Sequence, residues 1–282
     1  MKRSLHSWIE LGHFVSRVAV FGDICIDHYP ALNLQFIGGC SFNVTSGLKS
    51  LGTNSTLISV IGEDEYTEQI EQKILSLGIE SILSRVPLRN QKIDILLKKN
   101  GERVFSNYEG EILNHHPHFD LEDFDFVLSP YFKEIQEMIE NSLEDYQGKI
   151  FLDLQEAENI DDEVFVSLVK KSMYINIGKE KFAHDLLLKS SLDSIITITL
   201  GDRGSRYYFN GTFADVDICE EICAIDTTGA GDAFFAYVSS EIIRFNLQGM
   251  TPDLFTTLKD ANKFAAKNIG FIGPNSNLFV IA

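Results

Sequence analysis

Basic residues are scarce in this chain. Its 282 residues include 24 Lys and Arg against 41 Asp and Glu, a formal net charge of −17. Nucleic acid and anionic membranes need clustered positive charge, so both are excluded as main partners. The same balance sets a condition on any anionic ligand. Backbone N–H groups, a helix N-terminus or a metal must offset the overall field. Cysteine is sparse too, and Cys25, Cys40, Cys219 and Cys223 form no CxxC pair. That spacing disfavours zinc and fits four reduced thiols in a cytoplasmic protein. No run is long and apolar enough to span a bilayer. Glu10, Gly12 and His13 interrupt the N-terminal segment, so residues 1–17 are expected to be a short extension rather than a signal peptide. There is no internal repeat, low-complexity tract or long linker. A hydrophobic fraction of 44% supports a buried core and excludes disorder.

Several chemical signatures are also missing. No Gly-Lys-Ser/Thr occurs, because Gly148-Lys149 and Gly178-Lys179 lack the hydroxyl residue, so there is no Walker A loop. Gly22-Asp23 after the first predicted strand supplies no dinucleotide fingerprint, which disfavours a nicotinamide-dependent oxidoreductase. No G-x-S-x-G elbow is present, which disfavours a serine hydrolase.

What is present is an alternating pattern. Residues 18–26 predict a buried strand, and residues 29–36 a more exposed extended run. Gly38-Gly39 breaks it, and residues 41–51 predict a helix ended by Gly52. Residues 56–61 predict a strand. Residues 64–77 predict an amphipathic helix with Tyr66, Ile70, Ile74 and Leu77 on one face. Residues 93–98 and 103–108 flank Asn100-Gly101, a strong hairpin signal. Beyond Gly110, strands at 125–129, 150–154, 173–177 and 194–200 alternate with helices at 131–145, 161–171 and 179–189. This rhythm predicts an α/β fold with a mainly parallel sheet covered by helices. A second hairpin is expected around Asn210-Gly211, and two helices close the chain. The runs at 29–36 and 93–108 stand outside the α/β rhythm. They suit either a small β lid over a ligand crevice or an ordinary edge extension.

The chemistry concentrates in Asp226-Thr227-Thr228-Gly229-Ala230-Gly231-Asp232-Ala233-Phe234, just before an apolar helix. Glycines let a ligand approach the backbone, and N–H groups at a helix start attract anions. Asp232 falls in the first turn, placed to accept a proton from an attacking hydroxyl. Phosphoryl transfer has a loose transition state, so positioning matters more than base strength. Taken alone, the same residues also make a tight turn with an acid stabilising a helix start. His115, His116 and His118 surround Pro117, but no acidic or Cys partner is placed beside them by sequence.

The motif resembles the C-terminal signature of the ribokinase-like (PfkB) carbohydrate kinases. FGDICID at residues 21–27, FIGGCSFN at 36–43 and TLGDRGS at 199–205 resemble three further family segments, in order and spacing. The likeness spans nearly the whole chain from Phe21 to about Ser276. Within the family, GDICIDHYPALNLQFIGG and GERVFSNYEG look most like the fructosamine (fructoselysine) 6-kinases.

The resemblance implies a ribokinase-like three-layer sandwich over residues 18–282, with lid segments near 29–37 and 92–109. It implies a kinase that uses ATP, Mg²⁺ and a monovalent cation such as K⁺ to phosphorylate a primary hydroxyl of a sugar or sugar-amine. Asp232 would be the base, with Gly229, Ala230 and Gly231 as the anion hole. Asp27, Gly38, Gly39 and Asn43 would hold substrate, joined by Arg103 and Tyr108 from the lid. Thr199, Gly201 and Gly204 would line the nucleotide, with Asn262 near the adenine. Glu180 would lie near Mg²⁺, and Asp226 and Thr228 near the monovalent cation. A homodimer through the lid is a further implication.

Three departures bear on this reading, the first being that the C-terminal cation-loop region, Gly270–Ser276, is only loosely similar to the family's. The family's Asn-x-x-Glu is one residue too long here, at Asn176-Ile177-Gly178-Lys179-Glu180. Cys25 replaces the Asn of ribokinase itself, which argues against ribose. A fructokinase, a ketodeoxygluconate-type kinase and a non-catalytic sensor of the same fold are the alternatives.

Overall fold

The computed structural model describes residues 17–218 and 223–274. Residues 1–16 of the N-terminal extension, Cys219, Asn275 and Ser276 lie outside the described residues. The chain opens with β1 (Val18–Gly22), β2 (Cys25–Tyr29), β3 (Leu34–Gly38), α1 (Cys40–Ser50), β4 (Thr56–Ile61), α2 (Thr67–Ser76), β5 (Glu80–Arg85), β6 (Gln91–Leu97) and β7 (Arg103–Glu109). It continues through β8 (Phe126–Pro130), α3 (Gln136–Leu143), β9 (Lys149–Asp153), α4 (Asp162–Lys171), β10 (Ser172–Ile177), α5 (His184–Ser190) and β11 (Ile195–Thr199). It closes with β12 (Ser205–Phe209), β13 (Thr212–Val216), α6 (Ala230–Asn246) and α7 (Leu254–Asn268).

The main sheet runs β13-β12-β11-β10-β9-β8-β1-β4-β5. Strands from β11 through β5 are parallel, and the β12–β13 hairpin adds an antiparallel edge. Side chains alternate along β1. Val18 and Val20 join a core with α1, α6 and α7, while Ala19 and Phe21 join a core with α3, α4 and α5. Both faces of the sheet are thereby covered, which is what near-continuous apolar strands require. Because β4 and β8 flank β1 on opposite sides, strand order reverses there. The carboxyl end of β1 is the place where such a sheet opens a crevice.

A second, four-stranded sheet runs β3-β2-β6-β7. Its β2–β3 and β6–β7 pairs are antiparallel, and β2–β6 is parallel. The two runs that stood outside the α/β rhythm therefore do pair with each other. The expected single strand over 18–26 is instead two strands in two sheets. Gly22 takes φ +150°, and its added β-carbon would sit 2.3 Å from the Ser41 hydroxyl. Ser129 and Ser59 hydroxyls take the Phe21 and Gly22 carbonyls at 2.7 and 2.6 Å, sealing the end of β1. The run expected at 29–36 likewise contains a turn, with Leu32 N–H returning to the Tyr29 carbonyl at 3.1 Å and Asn33 at φ +50°. The edge strand β5 was not anticipated, because its residues are mostly exposed or half-buried and carry no apolar run. Helices α3 and α5 are shorter than their patterns suggested and begin several residues late.

Candidate active site

Helix α1 begins directly after the Gly38-Gly39 pair. Gly39 adopts φ +95°, and a β-carbon there would approach the Ile24 Cα at 2.8 Å, so the chain turns from lid to helix at a point where only glycine fits. Asp23 replaces a side-chain cap on the helix itself, accepting the Cys40 and Ser41 N–H groups at 3.2 and 3.3 Å. Asn43 lies on the first turn and is 5% exposed. Its Nδ2 donates to Asp232 Oδ2 at 2.8 Å, joining residues 189 positions apart. Helices α1 and α6 pack side by side, which brings the two ends of the chain together here.

Asp232 sits in the first turn of α6. Gly229 precedes that helix in the left-handed region at φ +76°, and no side chain caps it. The Ala230 N–H reaches only the Thr227 carbonyl at 3.3 Å, and regular helical bonding starts with Ala233 N–H to the Gly229 carbonyl at 2.9 Å. A β-carbon on Gly229 would meet the Pro274 carbonyl at 2.7 Å, whereas one on Gly231 would have nothing within 4 Å. Space is therefore open where the helix N-terminus points. A dipole end with unused N–H groups is suited to an anion.

Three buried carboxylates and a half-buried one, Asp23, converge near this point. Burial pushes Asp232 up to about 6, against the Asn43 hydrogen bond that holds it down, while the charge of Asp23 adds to the rise. The Cys40 thiol and the Arg103 charge also favour its ionised form. Asp27, at the middle of β2, is pushed up to about 7 by burial; the Cys25 thiol, donating at 3.1 Å, opposes this, and Asp232, Asp23 and Asp226 reinforce it. Asp153, the last residue of β9, is pushed up to about 7 by burial and by Asp232. Asp23 is raised by burial despite its N–H partners. Asp27 thus lies within electrostatic reach of Asp232 on one face of the molecule.

Asp153 and Asp23 were missed in the sequence. Asp153 ends a parallel strand at the sheet's carboxyl edge, and that position was the available signal. It is steadied by Asn176, whose Nδ2 donates at 3.0 Å and whose Oδ1 accepts from Thr197 Oγ1 at 2.8 Å. Tyr174 extends this chain to Thr197 at 2.8 Å.

Gly38 has its own constraint. A β-carbon there would land 2.3 Å from Asp27 Oδ2. Gly38→Ala is expected to displace the Asp27 carboxylate or shift β3, costing about 1–3 kcal/mol of stability. A raised KM for the acceptor should accompany a lower unfolding midpoint. Wild-type values of both would mean the carboxylate is not held as described.

The other expected residues fall into two groups. Thr199 ends β11, Gly201 (φ +64°) opens a short 3-10 turn and Gly204 (φ +90°) closes it. A β-carbon on Gly204 would meet the Val216 carbonyl at 2.2 Å, and Asn262 on α7 donates to that same carbonyl at 3.1 Å. These four therefore share one end of the β11–β13 edge. Arg103, from the lid, donates from Nη1 to the Thr227 carbonyl at 3.1 Å, and its Nε is buried without a partner. Tyr108, on the same strand, is 63% exposed.

Glu180 does not fit a metal ligand as placed. Arg203 and Arg206 bond it at 3.0 and 2.9 Å at the surface and hold it below the usual carboxylate range. Among the described residues no group of three or more His, Cys, Asp or Glu is arranged to hold a metal. His116 is used locally, with Nδ1 at 3.1 Å from Glu137 and Nε2 at 2.8 Å from the Leu113 carbonyl.

A doubly wound sheet, a small β lid and an open helix N-terminus beside a buried carboxylate form the framework of a phosphotransferase. The chain belongs to the pfkB family carbohydrate kinases, whose model matches residues 16–146 and 176–278. It is an ATP-dependent sugar kinase. Fructoselysine 6-kinase of Escherichia coli (strain K12) is 26% identical over 234 residues, covering 78% of this chain and 86% of that protein. Probable fructokinase-4 of Arabidopsis thaliana is 22% identical over 270 residues, covering 81% and 82%. Among solved structures, the Burkholderia thailandensis nucleoside kinase in complex with inosine superposes with a TM-score of 0.76 at 17% identity, covering 92% of this chain and 93% of that one. The Vibrio cholerae fructokinase double mutant, bound to fructose, ADP and potassium, gives 0.71 at 19%, covering 94% and 95%. Both share the ribokinase-like fold. No helix among the described residues is long and apolar enough to cross a membrane.

Proposed function

We propose that this kinase transfers the γ-phosphoryl group of ATP to a primary hydroxyl of a sugar-amine of the fructosamine type. The observation that carries the reading is the 2.8 Å bond from Asn43 to Asp232 at the uncapped start of α6. In this reading Asp232 takes the hydroxyl proton, and the N–H groups of Gly229, Ala230 and Gly231 hold the phosphoryl oxygens. Asp27, Gly38, Gly39 and Asn43 orient the acceptor, with Arg103 and Tyr108 closing from the lid. Thr199, Gly201, Gly204 and Asn262 receive the nucleotide. Mg²⁺ would accompany ATP and neutralise phosphate charge, but Glu180 in its present ion pairs is not assigned to it.

The acceptor preference has a physical basis. Asp27, Asp153 and Asp232 are buried and Asp23 is half-buried near them, which makes the acceptor side acidic. A cationic sugar-amine suits that field better than a hexonate, and the likeness to fructoselysine 6-kinases points the same way. The lid also exposes Leu34, Leu96, Val104, Phe105 and Tyr108, which suits a second copy clasping there.

An ATP-consumption assay across fructose-amines, hexoses, nucleosides and 2-keto-3-deoxygluconate tests the assignment. The fructose-amines should give the highest kcat/KM. Preferred turnover of fructose or the hexonate would replace the substrate reading with a fructokinase or hexonate kinase. Sugar binding without ATP consumption would favour a sensor.

A further inference from the structure

Both hairpins of the lid reach the loop that precedes α6. Gly101, at the β6–β7 turn, accepts the Thr227 N–H at 3.0 Å, and Arg103 bonds Thr227 from the next strand. At the other hairpin Tyr29 ends β2, is 1% exposed, and donates its hydroxyl to Asp226 Oδ2 at 2.6 Å. Its ring packs edge-on against Phe36 at 5.6 Å, and Phe36 fills the space beside Gly273, where a β-carbon would come within 2.9 Å of the ring.

Asp226 is fully buried and is also fully occupied. Oδ1 accepts the Thr228 N–H at 2.9 Å and the Thr228 hydroxyl at 2.6 Å. Oδ2 accepts Tyr29 at 2.6 Å and the Gly273 N–H at 2.9 Å. A carboxylate offers about four in-plane lone-pair sites. All of them are taken by neutral donors, so Asp226 and Thr228 do not fit a monovalent cation in this arrangement. Two of the donors come from Thr228 in the same loop, and the Gly273 N–H comes from the segment after α7. Only Tyr29 comes from the lid. Thr228 leads directly into Gly229, whose positive φ starts the anion cradle.

We propose that Tyr29 is a positioning residue for phosphoryl transfer. Its hydroxyl takes the place at Asp226 that a monovalent cation would need, and it thereby ties lid closure to the geometry of the cradle. This rests on the kinase reading above. When the lid opens, Asp226 loses a charge-assisted hydrogen bond and the Thr228–Gly229 turn loses one of its restraints. When it closes, cradle and acceptor site are completed together. The chain then needs no added K⁺.

The test compares wild type and Tyr29→Phe in equal concentrations of KCl and tetramethylammonium chloride. Wild-type kcat and thermal midpoint should be the same in both salts. In tetramethylammonium chloride, Tyr29→Phe should lose kcat by about tenfold or more, with acceptor KM changed far less. KCl should restore part of that loss and raise the variant's midpoint, because the vacated lone pair is then open to the ion. Amide exchange over residues 226–231 should be faster in the variant. A wild-type midpoint or kcat that rises in KCl overturns the proposal. So does a Tyr29→Phe protein indistinguishable from wild type, or a loss that KCl does not rescue. The wild-type salt comparison stands even if the variant fails to fold. The midpoint and exchange readouts also judge the latch if no acceptor is turned over, which separates its failure from failure of the kinase reading.

Discussion

Asp232→Asn is expected to lower kcat by about 10²–10⁴-fold, the range removed with a general base, while ATP and acceptor still bind. Asparagine keeps an oxygen to accept the Asn43 amide, so the α1–α6 contact should survive and the protein should remain folded. The wild-type pH profile supplies an independent sign. Burial holds the Asp232 carboxyl up at about 6, so below that pH the base carries its proton and kcat/KM should fall about tenfold per pH step. Because Asp27 and Asp153 titrate beside it, the limb belongs to the group and should be broadened. Retention of near wild-type kcat in Asp232→Asn would remove Asp232 from the chemistry. A flat profile down to pH 5 would show that its proton is not in play.

The same carboxylates should make the ligand-free protein more stable in mild acid than at pH 8. Asp27, Asp153 and Asp232 are each held above their usual value of 3.8, at about 7, about 7 and about 6. Between pH 4 and 7 the folded state therefore binds more protons than the unfolded chain. Stability falls as pH rises through that window, and the penalty is fully in force above pH 7. A tenfold displacement of a proton equilibrium is worth about 1.4 kcal/mol, so the group costs the ionised protein on the order of several kcal/mol.

The thermal midpoint should rise by roughly 5–10 °C between pH 8 and pH 5.5. Paired carboxylates such as Asp94, held low by His28, work in the opposite direction but lose their contribution only at lower pH. Asp153→Asn should raise the midpoint at pH 8 and flatten the slope, since Asn176 and Gln155 can still find an oxygen there. A midpoint that falls on acidification to pH 5.5, or an Asp153→Asn variant with the wild-type slope, would show that the burial cost is absent. Such strain is tolerable in an enzyme whose ligand supplies the missing donors.

Local pattern carried the reading far where one element decides the outcome. The apolar strands with intervening amphipathic helices could only be buried on both sides, so the α/β layering was legible. Gly229 to Asp232 before a periodic apolar run announced an open helix start, and Asn100-Gly101 and Asn210-Gly211 announced their hairpins. The strand expected at residues 18–26 misled because β1 and β2 are both apolar. What separates them is the backbone turn at Gly22 and the serine hydroxyls of β4 and β8, which periodicity does not register.

By itself, then, the sequence determined the layers, the turns and the residue types able to hold a phosphoryl group and a sugar. Tertiary structure alone decided the pairings across the chain: Asn43 with Asp232, Tyr29 with Asp226, and Asp153 with its buried neighbours. It also turned Glu180 outward to two arginines. Such partners lie up to about two hundred residues apart. Hydrogen bonds and proton equilibria depend on distance and burial, and those quantities come into being only when α1, α6 and the lid pack around the end of β1.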